Sequence, residues 1–145
     1  MAFLSSLNIS ASALTAESFR MDVISENIAN ATNTRTENGG TYRRKMVVLQ
    51  AQGEDRTRFR RIFSDQLQAA QGVQVTQVAE DTSAFTPVYD PTHPDANAEG
   101  YVMMPNVDPV KETLDMMAAT RAYEANLTAF NAVKNMATKA LEMGR

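Results

Sequence analysis

The sequence predicts an α+β fold: two long terminal α-helices that pair as a coiled-coil-like hairpin, with a small β-rich module inserted between them. Three observations predict it. No glycine or proline interrupts residues 110–143, heptad-spaced apolar residues mark both ends of the chain, and turn signals in the middle separate short apolar runs. The predicted boundaries are 1–33 for the N-terminal helix, 34–107 for the middle module and 108–145 for the C-terminal helix.

The C-terminal helix is expected to begin at Asp108–Pro109, because aspartate can cap the first free amides and proline suits the first helical position. Its heptad stripe consists of Met116, Tyr123, Phe130 and Ala137, with Ala119, Leu127, Val133 and Leu141 beside them. The other faces are rich in alanine, and residues 125–133 carry no charge. Such a helix is expected to be buried on all sides. The alternative, the central helix of an ordinary α-helical domain, is disfavoured by the shortage of other helices.

The N-terminal helix has a narrower stripe, in which Leu7, Leu14, Met21 and Ile28 lie seven residues apart and Ile24 lies beside them. Serine, threonine and asparagine hold most other positions, and these residues form helices weakly. Packing must therefore stabilise this helix. We expect residues 1–33 and 108–145 to be largely disordered in the free chain and to fold on polymerisation.

The middle module is predicted to contain strands at 42–52, 58–67 and 72–78, after a loop at 33–40. Residues 81–105 hold four of the five prolines and are expected to be extended and rich in turns. Apolar residues are expected to anchor this segment: Phe85, Val88, Tyr89, Tyr101, Val102 and Met103.

Composition excludes several classes of function. The net charge of −3 gives no electrostatic case for binding nucleic acid, and the absence of cysteine excludes thiolate chemistry. No apolar run is long enough to span a membrane. The first 16 residues lack the basic and apolar regions of a cleavable signal peptide, so export, if it occurs, is expected to use another route.

Residues that could carry chemistry are few. The single histidine, His93, lies near Asp95 in a predicted surface turn, and two ligands do not make a metal site. We therefore expect no catalysis, no cofactor, no metal and no small-molecule substrate. The alternative function is a soluble binding module whose basic Arg43–Arg61 face captures an acidic protein partner, although a solvated face explains the same residues.

Two motifs resemble signatures of bacterial flagellar basal-body rod and hook proteins. Ser25–Ala31 (Ser-Glu-Asn-Ile-Ala-Asn-Ala) is similar to their N-terminal signature. The second motif is Asn106-Val-Asp-Pro109 followed by Arg121-Ala-Tyr-Glu-Ala-Asn126, and it resembles their C-terminal signature. Gly39–Arg44, Val88–Ala96 and Glu99–Asn106 are similar to the proximal-rod members. The Thr-Pro-Gly-Tyr of most rod and hook proteins is replaced by a longer Asn/Gly loop before Tyr42, which favours that branch.

The resemblance implies a structural subunit of the proximal rod, the drive shaft of the flagellar basal body, which polymerises through its terminal helices and transmits torque. Implied partners are other rod proteins, identical or near-homologous subunits, the adaptor between rod and membrane ring, and the flagellar type III export apparatus. The implied location is the rod within the periplasm.

The stripes and signatures together predict an assembly interface. It consists of Leu7, Leu14, Met21, Ile24, Asn27, Ile28, Asn30, Met116, Arg121, Tyr123, Asn126, Leu127, Phe130 and Val133. Phe3 and Leu7, four residues apart, also resemble the short hydrophobic export-recognition motif of some rod and hook proteins. The alternative is that both belong to the helix core.

Overall fold

A computed structural model describes residues 2–37, 39–52 and 72–143, with side chains from Leu4 onward. Helix α1 (Ala2–Ala29) is followed by strands β1 (Lys45–Ala51), β2 (Val73–Glu80), β3 (Thr86–Tyr89) and β4 (Tyr101–Met104), and by helix α2 (Pro109–Met143). The predicted α+β fold, with terminal helices around a small β module, is confirmed. The strand predicted at 58–67 lies outside the described residues.

The helix ends follow local hydrogen bonds. Asp108 caps α2 as predicted, because its Oδ1 accepts from the amides of Val110 at 2.9 Å and Lys111 at 3.4 Å. Helix α1 ends at Ala29, before residue 33. There the Asn30 side chain donates to the carbonyl of Glu26, and the backbone turns away from helical geometry.

The strands form two two-stranded sheets, β1–β2 and β3–β4. In the second, the strands are antiparallel, with Val88 opposite Val102 and Tyr89 opposite Tyr101. Residues 81–105 are extended and rich in turns, as expected, and the structure adds that two stretches of this segment pair as strands. Pro87 lies in β3, an edge strand, where it can sit without losing a ladder bond. Of the expected anchors only Val102 is fully buried.

The chain divides into two compact units. Unit 1 comprises residues 1–19, 48–77 and 119–145, and its buried residues in the described part are small: Ala16, Gly72 and Ala119. Unit 2 comprises residues 20–47 and 78–118. Its buried residues are Val23, Ile24, Asn27, Tyr42, Val102, Pro105 and Glu112. In the described part of the chain, neither helix has the length of apolar sequence that a membrane span needs.

Candidate functional site

A buried polar cluster lies in unit 2 and consists of Asn27, Tyr42, Arg44, Lys45 and Glu112. Asn27, in the last turns of α1, is 1% exposed. Its Nδ2 donates to the Lys45 carbonyl at 2.8 Å and to Glu112 Oε2 at 3.0 Å. Its Oδ1 accepts from the Lys45 amide at 2.9 Å and from the Tyr42 hydroxyl at 3.0 Å. Both donors and both acceptor positions of the amide are therefore used within the subunit.

Glu112, in the first turn of α2, is the acidic member of the cluster and is fully buried. Arg44 Nε lies 2.6 Å from its Oε1, and Asn27 bonds the other carboxylate oxygen. A carboxylate in the first turn also interacts favourably with the helix dipole. A buried charge is tolerated when it is paired and hydrogen-bonded, and Glu112 meets both conditions.

Arg44 brings further segments of unit 2 to the cluster. Its Nη2 lies 3.4 Å from Asp115 Oδ2, and its Nη1 lies 3.9 Å from Asp81 Oδ2. Its backbone amide donates to Asn106 Oδ1 at 2.8 Å, and its carbonyl accepts from the Asp81 amide at 2.8 Å. One guanidinium thus faces three carboxylates, so removing it leaves uncompensated negative charge around Glu112.

Tyr42 closes the cluster. Its side chain is buried, and Lys45 Nζ lies 5.7 Å from the ring centroid while also pairing with Glu26. Burial, together with the nearby charges of Glu26, Glu112 and Glu80, raises the pKa of Tyr42 to about 12. The hydroxyl is therefore neutral at physiological pH and can donate to Asn27.

The polar groups of the cluster bond one another and thereby connect segments of the chain. The Asn27 amide and both Glu112 carboxylate oxygens are occupied by protein partners. Among the described residues, no group of three or more His, Cys, Asp or Glu side chains is placed to hold a metal ion. The arrangement joins the end of α1, the start of β1 and the start of α2.

The residues of the predicted assembly interface are distributed over three levels of exposure. Ile24 and Asn27 are buried, whereas Ile28, Arg121 and Leu127 are exposed. The others are half-buried: Leu7, Leu14, Met21, Asn30, Met116, Tyr123, Asn126, Phe130 and Val133. Of these residues, Asn27 makes the hydrogen bonds described above within its own subunit. The side chain of Phe3, from the predicted export motif, lies outside the described part.

Helix α2 exposes apolar side chains beside the predicted stripe, Leu127 and Leu141, and on another face, Met136. Leu127 is 40% exposed, Met136 62% and Leu141 76%. Towards the start of the helix, Val110 and Leu114 are exposed as well. Within one subunit this helix is therefore not buried on all sides, and its burial in an assembly stays a prediction.

The described part of the basic face is engaged inside unit 2. Arg43 donates to the carbonyls of Asp81 and Ser83 and lies 4.4 Å from the Phe85 ring centroid. Arg44 and Lys45 pair with carboxylates of the cluster and of Glu26. The arginines at 56–61 lie outside the described residues. His93 lies in a turn, where its Nδ1 accepts from the Asp95 amide at 3.1 Å.

Four members of the cluster were not predicted as a group: Tyr42, Arg44, Lys45 and Glu112. One signal was present: Glu112 lies seven residues before Ala119, on the heptad that continues to Asn126 and Val133. A charged residue at such a position indicates a buried partner. The partner itself could not be predicted, because Arg44 and Glu112 are separated by 68 residues.

Comparison with known proteins identifies the family. Residues 7–35 match the family described as "Flagella basal body rod protein", and residues 98–143 match "Flagellar basal body rod FlgEFG protein C-terminal". The Asn27–Glu112 bond joins these two matched segments.

The chain is 55% identical to the flagellar basal-body rod protein FlgC of Bacillus subtilis, with 97% of each chain covered. It is 41% identical to FlgC of Borreliella burgdorferi, with 97% of each covered. It is 40% identical to FlgC of Escherichia coli O6:H1, with both chains covered completely. The chain therefore belongs to the FlgC family of flagellar basal-body rod proteins.

Proposed function

We propose that this chain is a structural subunit of the proximal rod of the flagellar basal body, and that it polymerises through its terminal helices to form a shaft that transmits torque. The observation that carries the proposal is the exposed, uncharged surface of α2. From residue 125 to residue 133 the helix has no charged side chain, and Leu127, Met136 and Leu141 are exposed on its C-terminal part.

Burial of this surface supplies a driving force for assembly. Moving one leucine or methionine side chain from water into a packed interface contributes about 1.5–3 kcal/mol. Several such residues on one helix, repeated in every subunit, favour a polymer. Interfaces packed as closely as protein interiors resist deformation, which suits a shaft under torque.

The same proposal includes partners and location. Neighbouring rod proteins and further copies of this chain cover α2, and the adaptor between rod and membrane ring contacts the assembly. The subunit crosses the inner membrane unfolded through the flagellar type III export apparatus and acts in the periplasm. The comparisons do not support the alternative of a module that captures an acidic partner.

The test is to image basal bodies that contain a labelled subunit. A short epitope is inserted between Gly39 and Gly40, because a Cβ atom at either position would meet nothing within 4 Å. Cryo-electron microscopy with antibody labelling is expected to place this epitope on the rod. The matched control carries the epitope at Met136, where it is expected to block incorporation. Labelling elsewhere in the cell, or equal incorporation of both variants, would contradict the proposal.

A further inference from the structure

We propose that the boundary between the part ordered in the free chain and the part that orders on assembly falls inside each terminal helix. The buried polar cluster holds residues 20–29 of α1 and 109–118 of α2 folded with unit 2. Residues 125–143 of α2 become fully ordered only when neighbours cover them. This replaces the sequence-based expectation that residues 1–33 and 108–145 are largely disordered throughout in the free chain. It goes beyond the proposed function, because it concerns the free chain and can be tested without rods.

The distribution of burial supports this boundary. In the described part of unit 2, large side chains from both helices and the β module are buried, among them Ile24, Tyr42 and Glu112. In the described part of unit 1 the buried residues are glycine and alanine. Burying large side chains offsets the conformational entropy of ordering, whereas burying small ones offsets little. Unit 2 therefore has the stronger reason to fold without a neighbour.

The cluster also makes the folding of one of its chain segments depend on the folding of the others. Glu112 is buried as a charge only if Arg44 pairs with it and Asn27 bonds its second oxygen. Removing one partner from such a pair leaves an uncompensated buried charge and is strongly destabilising. The end of α1, the start of β1 and the start of α2 are therefore expected to order together.

C-terminal to the cluster, α2 is expected to be progressively less ordered in the free chain. The first turns are held by Asp108 and Glu112, so the cost of nucleating the helix is already met there. From residue 120 to residue 143 no side chain is fully buried. Helix without tertiary contacts is marginal in water, so these turns are expected to open readily in the free chain.

Amide hydrogen exchange on the full-length free chain tests the boundary. Amides of 20–29 and 110–118 are expected to exchange about 100-fold or more slowly than unstructured amides, at rates similar to those of β1 and β4. Amides of 125–143 are expected to exchange within about tenfold of the unstructured rate. Fast exchange at 20–29 and 110–118 would overturn the proposal. So would equal protection extending to Met143.

Two variants test the interdependence. Arg44→Gln leaves the buried Glu112 carboxyl without its cationic partner, so protection is expected to fall in 20–29 and 109–118 together. The double variant Arg44→Gln/Glu112→Gln removes both charges and is expected to recover most of the protection. Asn126→Ala is the matched control, because its side chain makes the local bond to the Ala122 carbonyl; exchange in both segments is expected to stay unchanged. Loss of amide protection in one segment alone, or no recovery of protection in the double variant, would refute the interdependence.

Discussion

The side-chain amide of Asn27 bonds both backbone polar groups of Lys45, accepting from its N–H at 2.9 Å and donating to its carbonyl at 2.8 Å. A residue of a neighbouring strand makes the same pair of bonds. The end of α1 thus takes the place of a strand at the start of β1. The asparagine of the N-terminal signature thereby connects the helical part of the chain to the sheet within one subunit.

Asn27→Asp is expected to destabilise unit 2 by about 2–4 kcal/mol. The carboxylate keeps the acceptor of Asn27 but loses both donors and brings a second negative charge beside Glu112. Urea unfolding of the free chain, followed by circular dichroism, measures the change. Asn30→Asp is the control, because the Asn30 side chain bonds near neighbours, donating to the Glu26 carbonyl and accepting from Asn33 Nδ2. Its cost is expected to be below about 1 kcal/mol. Equal costs for the two variants would argue against a special role of Asn27.

Alkaline pH is expected to weaken unit 2 through Tyr42. Its pKa is about 12 in the folded chain and about 10 in the unfolded chain. The stabilisation of the folded chain by the protonated Tyr42 hydroxyl is therefore complete below pH 10. It is lost as the pH rises from 10 to 12, because only the unfolded form releases the proton in that range. The slope of unfolding free energy attributable to Tyr42 is at most about 1.4 kcal/mol per pH unit.

Tyr42→Phe is expected to remove this slope, although it also lowers stability at pH 7 through the lost bond to Asn27. Denaturant titrations between pH 8 and pH 12 provide the measurement. Tyr89→Phe serves as the control, since Tyr89 is 65% exposed and the slope is expected to remain. An unchanged slope in Tyr42→Phe would show that other groups cause the alkaline loss.

Gly72→Ala is expected to impair assembly through unit 1. A Cβ at Gly72 would lie 2.9 Å from Ser12 Cβ and overlap its hydroxyl, which accepts from the Val73 amide. Overpacking of this kind costs about 1–3 kcal/mol. Swimming in soft agar is expected to fall, while the thermal transition of the free chain changes little. Ser12→Gly in the same chain is expected to restore part of the swimming, and failure to do so would contradict the steric explanation.

Leu127→Ala is expected to weaken the polymer rather than the free chain. Leu127 is 40% exposed in the free subunit, and truncating a leucine that is buried on assembly costs about 2–5 kcal/mol. The yield of rods is expected to fall, while the urea midpoint of the free chain stays constant. Leu49→Ala, at a similarly exposed position on β1, is the control for non-specific loss of apolar surface. Wild-type rod yield in Leu127→Ala would remove Leu127 from the interface.

Phe3→Ala or Leu7→Ala is expected to lower secretion more than assembly, if the pair is recognised by the export apparatus. Secretion is measured as the chain in the culture medium of cells that lack the distal structures. Assembly is measured as the fraction of the exported chain incorporated into rods. Leu4→Ala, at the neighbouring 63% exposed position, is the control. Normal secretion with failed assembly would assign Phe3 and Leu7 to the helix core instead.

Features that depend on neighbouring residues along the chain could be predicted from the sequence. The start of α2 at Asp108–Pro109, the length of that helix and the positions of β1 and β2 all follow from capping, periodicity and turn signals, which act over a few residues. The rod-protein family followed from two short motifs, and the comparisons confirmed it.

Which side chains contact one another could not be predicted, because it depends on how distant segments pack. Asn27 and Glu112 are 85 residues apart, and the heptads place them on helices without indicating that they share a hydrogen bond. The pairing of β3 with β4 across Pro87 was likewise unpredictable, because a proline is compatible with a strand only when that strand lies at an edge. Periodicity reports which face of an element is buried. Its partners depend on how the distant segments pack, and that is a property of the folded chain.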